Sequence, residues 1–465
     1  MFSGISYFTR NSQSGFCRAA SAFCLITVLG FTVSAAAATH CVNMSGTSGC
    51  YSSISAAVAA SSPNDTIKVE PGTYKDFVKI TIPLSLIGSS RYNTIIDATG
   101  QSNAVYVNDG STIVTDVVIA GFTVENANFE GILVNGASSI TIRSNLVVDN
   151  DKALQISPTN PVCPNLTTVY PFEGNEQDDC GEGIHLTNVS SSVIAFNTVE
   201  HNAGGILVSD DSGPTHDNSI RYNTVSNNVY DCGITMPSHT PFGVYHNTVS
   251  NNQIYGNGTD FGNGGGAGVG IFSPGGPTQN YGNAVVNNEI VGNGIAGVAM
   301  HTHAPGTEVL QDETIVGNYI SRNGYDSDLG LSPGQSDGIA MLLTGGNVSG
   351  IVISENTFDD EAEDIVISTD VAVHITATLN NFSRNSIAVD NLGPAPGFAG
   401  TPVVTGNATV NAKEDWWGCP GGPGAPGCAT ISNAISSGTL GSTVLYMPWL
   451  TIPVAGPQFA SQPTP

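Results

Sequence analysis

The chain has 465 residues, only 11% of them charged, with 55 glycines and a formal net charge of −26. So acidic a chain lacks the Lys and Arg that nucleic-acid binding needs to neutralise phosphates. Low charge among many Val and Ile excludes a disordered acidic chain, and few Lys, Glu and Leu exclude a helical bundle.

Residues 1–38 read as a secretory signal peptide. Arg10 and Arg18 supply the positive region, Ala19–Val33 the apolar run, and Ala36-Ala37-Ala38 a small-residue cleavage site before Thr39. Removing the two arginines moves the net charge from −26 to −28. A second long apolar run does not follow, so the expected product is a secreted, soluble monomer off the membrane. Seven cysteines stay with it, and three local pairs fit an oxidising compartment: Cys41–Cys50, Cys163–Cys180 and Cys419–Cys428. Cys232 is then a buried thiol, or the partner of Cys180.

Next along the chain, Ile54–Ala60 reads as a short amphipathic helix within an N-terminal cap over 41–62. Thr66–Tyr74 and Leu84–Gly88 read as strands. Then a unit recurs: Asn, any residue, an apolar residue, two residues, Asn. It starts at 145, 197, 223, 252, 288, 318, 356 and 380, and Glu361 stands at the closing position of the 356 copy. Most copies are followed by Gly, Ile or Val, any residue, then an apolar residue, as in Gly131-Ile-Leu-Val134 and Gly233-Ile-Thr-Met236. Each unit holds short period-2 runs separated by Gly, Asn, Ser and Asp, without a helical period. Such a unit cannot bury its apolar face alone, but stacked copies can.

The expected fold is therefore all-β, a single-stranded right-handed parallel β-helix over 39–452 with a short N-terminal capping helix. Val and Ile stack inside, Asn forms ladders at the turns, and Gly supplies special turn angles. A β-propeller would need longer blades with a periodic aromatic signature. Asp415-Trp416-Trp417-Gly418-Cys419-Pro420 supplies aromatics for a C-terminal cap over 411–450. Residues 453–465 read as a disordered Pro-rich tail.

The opening KVEPGTY, LSLIGSS and TIID, the GI coils and the closing WWGCPGGPG resemble secreted bacterial parallel β-helix repeat proteins of the pectate-lyase-like superfamily. The resemblance spans roughly residues 41–450. It implies an extracellular glycan as partner. Reaction class stays open, because this superfamily holds lyases, hydrolases, epimerases, tailspikes and adhesins. Gln177-Asp-Asp-Cys180 also looks like the Asp-Asp-Cys segment of polygalacturonase-type hydrolases, but that family's other segments are absent.

Aligned on the Gly of the GI element, the residue two later points outward, which places His185, Leu207 and Thr235 in one column. Six residues after each Gly stand Val189, Asp211, His239, His303 and Thr344. Asp211, His239 and His303 are the candidate catalytic residues, since converging carboxylates and imidazoles support general acid/base chemistry. His185, Asp210 and His301 flank them as candidate substrate-binding residues. His301-Thr-His303 also offers alternate ligands to a transition metal. A long insertion, Ser157–Glu182, carries Asp178, Asp179 and Glu182, oxygen ligands of the kind Ca²⁺ takes. Surface His and Asp in turns and a solvated acidic loop are the competing accounts of these features. The charge of the chain also repels polyanions, so a neutral or cation-bridged glycan is expected. The alternative function is a non-catalytic extracellular scaffold or adhesin.

Overall fold

The computed structural model describes residues 36–108, 111–156, 161–162, 181–260, 265–302, 306–329, 331, 334–393, 408–433 and 443–457. Most of the expected signal peptide lies outside this set, as do Cys163 and Cys180 and the tail from 458 onward.

Three strands make each regular coil. Ile132–Ser138, Thr141–Arg143 and Leu146–Val148 form one; Glu182–Ser190, Val193–Ala195 and Thr198–Glu200 form the next. Equivalent strands pair in parallel from coil to coil, in register, as in Ile142↔Ile194 and Val147↔Val199. Two of the resulting sheets hold 14 and 10 strands. A third sheet carries the longest strands, from Val78–Ile80 through Glu182–Ser190 to Thr430–Asn433, and positions the candidate site.

The repeat sets the core. Ile132, Ile184, Ile206, Ile234, Val269 and Val298 stack inward on the long-stranded sheet, and all are buried. Ile142, Ile194, Ile220, Val249 and Val285 do the same on the 14-stranded sheet. Stacking Ile and Val on one another keeps the volume mismatch between neighbouring coils to about one methylene.

Asparagine ladders tie the corners. Asn223 donates from Nδ2 to the Ile194 carbonyl at 2.9 Å and to Asn252 Oδ1 at 3.0 Å. Its own Oδ1 accepts from the Asn197 backbone at 3.0 Å and from Asn197 Nδ2 at 3.1 Å. Each amide thus satisfies four polar groups that would otherwise be buried unpaired. Ladders run from Asn145 to Asn380, from Asn150 to Asn323, and from Asn218 to Asn283. Each ends on an acid: Asp415, Glu361 and Glu313, accepting at 3.1, 2.9 and 3.3 Å. Each carboxyl accepts from the rung before it and has no amide N–H to pass on, so the ladder stops there although, past Glu313 and Glu361, the coils continue.

The turn angles depart from expectation. The residue just before a ladder Asn takes a left-handed conformation, and it is often not glycine: Phe196 (φ 59°), Tyr222 (φ 55°) and His246 (φ 55°) are examples. Phe196 and Tyr222 stack on each other with centroids 5.2 Å apart. The GI glycines are needed for space. A Cβ on Gly205 would stand 2.1 Å from the Gly233 carbonyl oxygen and 2.4 Å from Val225 Cγ1.

At the N-terminal end, helix Ile54–Ala60 is capped by Ser53 and buries Ile54 and Ala57. Cys41–Cys50 and Cys419–Cys428 are disulfide-bonded, and Cys232 is a buried free thiol. Trp417 is fully buried against Phe382, 5.0 Å between centroids, at the far end. The tail begins in order: Val454 donates to Asn381 Oδ1 at 2.8 Å, and its carbonyl accepts from Asn381 Nδ2 at 3.1 Å. Those hydrogen bonds hold a stretch expected to be disordered. Among the described residues, no helix is long and apolar enough to cross a membrane.

Candidate functional site

On the long-stranded sheet, Tyr106, Leu133, His185, Leu207 and Thr235 stand in one register column. Asn135, Thr187 and Ser209 form the next outward column. These side chains face away from the coil interior, yet His185 is only 1% exposed.

The chain leaves the sheet after Ser209. Ser190 pairs with His216, and the Val189 amide donates to Thr215 Oγ1, so 210–214 bulge out of the coil. Val189 therefore sits opposite Thr215, and the expected column of Val189 with Asp211 is wrong. The strands after the GI element differ in length, and register past the fourth residue is lost. The next coil bulges as well, and this brings Asp211 and His239 together. Asp211 Oδ1 lies 2.9 Å from His239 Nδ1, with side chains 5% and 4% exposed. Asp211 Oδ2 accepts from Ser209 Oγ at 2.5 Å. Burial pulls the Asp211 carboxyl upward, but the hydrogen bond and charge of His239, with His185 and Ser209, win and hold it at about 2. The pair is thus a carboxylate that orients an imidazole.

Asp210 has a structural task instead of an open face. Its two oxygens accept from the backbone of His239 (2.7 Å), Thr240 (3.1 Å) and Gly243 (2.7 Å), and from the hydroxyls of Ser238 (3.0 Å) and Thr240 (2.9 Å). It anchors the 238–243 loop that presents His239, so all its acceptor capacity is used inside the protein. His301 is also turned to protein: it is 3% exposed, its Nε2 lies 2.7 Å from Asp326 Oδ2, and its ring meets Phe272 at 5.2 Å. Burial opposes its charged form, yet Asp326 raises its pKa overall. His303, Asp178 and Asp179 lie outside the described residues.

Glu182, from the expected calcium set, has different company. It starts the strand Glu182–Ser190, while Glu130 stands before Gly131 on the preceding coil. Both are buried, and with His185 they bring potential ligand atoms within 4.8 Å of one another. Glu130 Oε1 is 3.9 Å from His185 Nδ1. His185 Nε2 is 2.9 Å from Ser209 Oγ, so the Glu pair and the Asp211–His239 pair are linked through Ser209. Sequence reasoning missed Glu130 and Ser209. The signal for Glu130 was present, since it precedes its GI glycine as Glu182 does.

An open groove of about 630 Å³ lies on the 10-stranded sheet, lined by Gln253, Tyr255, Glu289, Tyr319 and Arg322 among others. None of the Asp211–His239 group lines this groove.

Residues 86–272 match the family model described as the right handed beta helix region. No curated protein matches the chain. Among solved structures, it resembles an alginate lyase from Paenibacillus sp. str. FPU-7, at 14% identity and a TM-score of 0.45, covering 70% of this chain and 95% of that one. The Dettilon tailspike protein is similar at 14% identity and a TM-score of 0.47, covering 77% of this chain and 64% of that one. DFA-IIIase from Arthrobacter chlorophenolicus A6 is similar at 14% identity and a TM-score of 0.45, covering 76% of this chain and 85% of that one. Likenesses of this size carry no argument about activity. The register of the coils and the match over 86–272 agree: the chain is a right-handed parallel β-helix protein.

Proposed function

We propose that the chain is a secreted protein that binds or processes an extracellular polysaccharide on the outer face of its long-stranded sheet. The carrying observation is the 2.9 Å contact between Asp211 and His239, borne on bulges of neighbouring coils. In this reading Asp211 accepts from His239 Nδ1–H and fixes the tautomer, leaving Nε2 as the basic nitrogen; Nε2 is buried in this structure, so a glycan reaches it on displacement of the 238–243 loop. The disulfides Cys41–Cys50 and Cys419–Cys428 support an oxidising compartment.

A panel of neutral and acidic glycans, assayed for binding and depolymerisation with Ca²⁺ and with chelator, tests this directly. The expected result is cleavage of one glycan class that His239→Ala abolishes while binding persists. Cleavage unaffected by both His239→Ala and Asp211→Asn removes the pair from the chemistry, and a panel with neither binding nor cleavage removes the glycan.

The groove on the 10-stranded sheet favours a second reading, a non-catalytic glycan-binding scaffold or adhesin. Tyr255 is 42% exposed there beside Glu289 and Arg322, a stacking and hydrogen-bonding surface without a carboxylate–imidazole pair. Binding lost in Tyr255→Ala, with no product formed, selects this reading.

A further inference from the structure

Three side chains near the Asp211–His239 pair have a chemistry of their own. Glu130 and Glu182 occupy the same repeat position on neighbouring coils, and His185 follows Glu182 by three residues on one strand. Their relative exposures are 0, 1 and 1%. All three offer a ligand atom within 4.8 Å of the others.

The hydrogen-bond chain decides which nitrogen of His185 faces the glutamates as a lone pair. Ser209 has one hydroxyl proton, which it donates to Asp211 Oδ2 at 2.5 Å. The Ser209 oxygen is then an acceptor toward His185 Nε2 at 2.9 Å, so Nε2 carries the imidazole proton. The neutral ring keeps its lone pair on Nδ1, and Nδ1 is the atom 3.9 Å from Glu130 Oε1. Two carboxylates and an imidazole lone pair therefore converge on one small buried volume. At 3.9 Å the ring nitrogen and the carboxylate are too far apart for a direct hydrogen bond. A shared cation about 2 Å from each would draw the two together to about 3.3 Å in a tetrahedral site, a small closure of the gap. A ligating histidine whose other nitrogen is held by a hydrogen bond is the usual outer-shell arrangement of metal sites.

We propose that Glu130, Glu182 and His185 form a binding site for one divalent transition metal, with Ser209 and Asp211 as positioning residues behind His185. The imidazole in the donor set separates this site from a calcium site, because Ca²⁺ takes oxygen ligands, whereas Zn²⁺ and its first-row neighbours take nitrogen readily. Three protein ligands leave a coordination position open, which is the pattern of sites where the metal meets water or substrate. The proposal stands on these five side chains and does not need the glycan reading.

The test uses the full mature chain, stripped with chelator and titrated with Zn²⁺ alone by calorimetry, with Ca²⁺ titrated in parallel and no glycan present. One Zn²⁺ per chain is expected, with Ca²⁺ bound at least about 100-fold more weakly. His185→Ala and the near-isosteric Glu182→Gln each remove that binding event. Ser209→Ala weakens it about 10-fold, as loss of an outer-shell partner does. Circular dichroism and the thermal midpoint of each variant in chelator establish that the coils remain folded, and Glu182→Gln keeps the test valid if His185→Ala does not fold. No stoichiometric Zn²⁺, equal affinity for Ca²⁺, or undiminished Zn²⁺ binding by folded Glu182→Gln overturns the proposal. A glycan screen that fails while Zn²⁺ binds leaves the metal site standing and removes only the glycan function.

Discussion

Glu361 closes one of the asparagine ladders, and its replacement by glutamine gives a pH-dependent effect of calculable size. The Glu361 carboxyl accepts from the Asn323 backbone at 3.1 Å and from Asn323 Nδ2 at 2.9 Å. Burial pushes it up from 4.5 to about 7, against the pull of those hydrogen bonds. Glutamine keeps an acceptor oxygen and removes the titration. Below pH ~4.5 the wild-type carboxyl is protonated in both states, and the wild-type chain has no penalty there. As pH rises toward about 7, the unfolded chain has lost the proton and the folded chain still holds it, so wild-type stability falls. Above that pH the deficit is constant. A gap of about 2.5 units at ~1.4 kcal/mol per unit amounts to about 3 kcal/mol. Asp337 and Asp364, both pushed up to about 8, chiefly by burial and in part by the Glu361 charge, lose that repulsion in the variant, which adds to the difference. Urea unfolding followed by circular dichroism at pH 4.5 and pH 8.5 measures the difference. Glu361→Gln should gain at least about 3 kcal/mol on the wild type between those two pH values. An equal difference at both would refute the account of the ladder end as a buried, mostly protonated carboxyl.

Asp211→Asn acts with the opposite sign. Its carboxyl is held at about 2 against an ordinary 3.8, so its contribution of about 2 kcal/mol is present above pH ~4 and lost as pH falls through about 2. The variant should lower the thermal midpoint at pH 7 and lose less than the wild type on acidification; a midpoint unchanged at pH 7 contradicts the pairing with His239. Gly205→Ala places a methyl group 2.1 Å from the Gly233 carbonyl oxygen, and the forced shift should cost about 3 kcal/mol, seen as a drop of several degrees in the thermal midpoint. A neutral result there would mean that neighbouring coils can separate freely. Cys232 is 3% exposed and its thiol is raised well above its ordinary value, first by burial and then by Asp231. Mass spectrometry should find it unmodified by iodoacetamide in the folded protein and modified in urea; rapid labelling of the native chain would show that this coil opens.

Much of the fold was legible because the repeat is local chemistry written many times. An Asn at a corner, a Gly too close to the next coil for a Cβ, and a Val or Ile inward each answer a constraint within one coil and its neighbours. The acid at the end of the 356 copy was also visible in the sequence, since Glu361 falls where an Asn is expected. Its physical reason came from the ladder: a final rung that accepts from Asn323 and carries no amide N–H to extend the ladder.

The site was legible only in part, and the reason is register. Asp211 and His239 were brought to one place by counting from the GI glycines. Val189 was misplaced by the same count, because bulges at 210–214 and 238–243 lengthen two coils and not the one before them. Asp210 and Asp211 are adjacent and chemically identical in sequence, yet one is consumed by five donors and the other orients an imidazole. Glu130 and Glu182 share the place before a GI glycine, but a long insertion separates them in sequence, and their approach to His185 shows only in the folded coils. The low charge and abundant glycine of the sequence determined a stack of β-coils. Which polar groups meet on its outer face depended on strand lengths and loop excursions, and only the tertiary structure decides those.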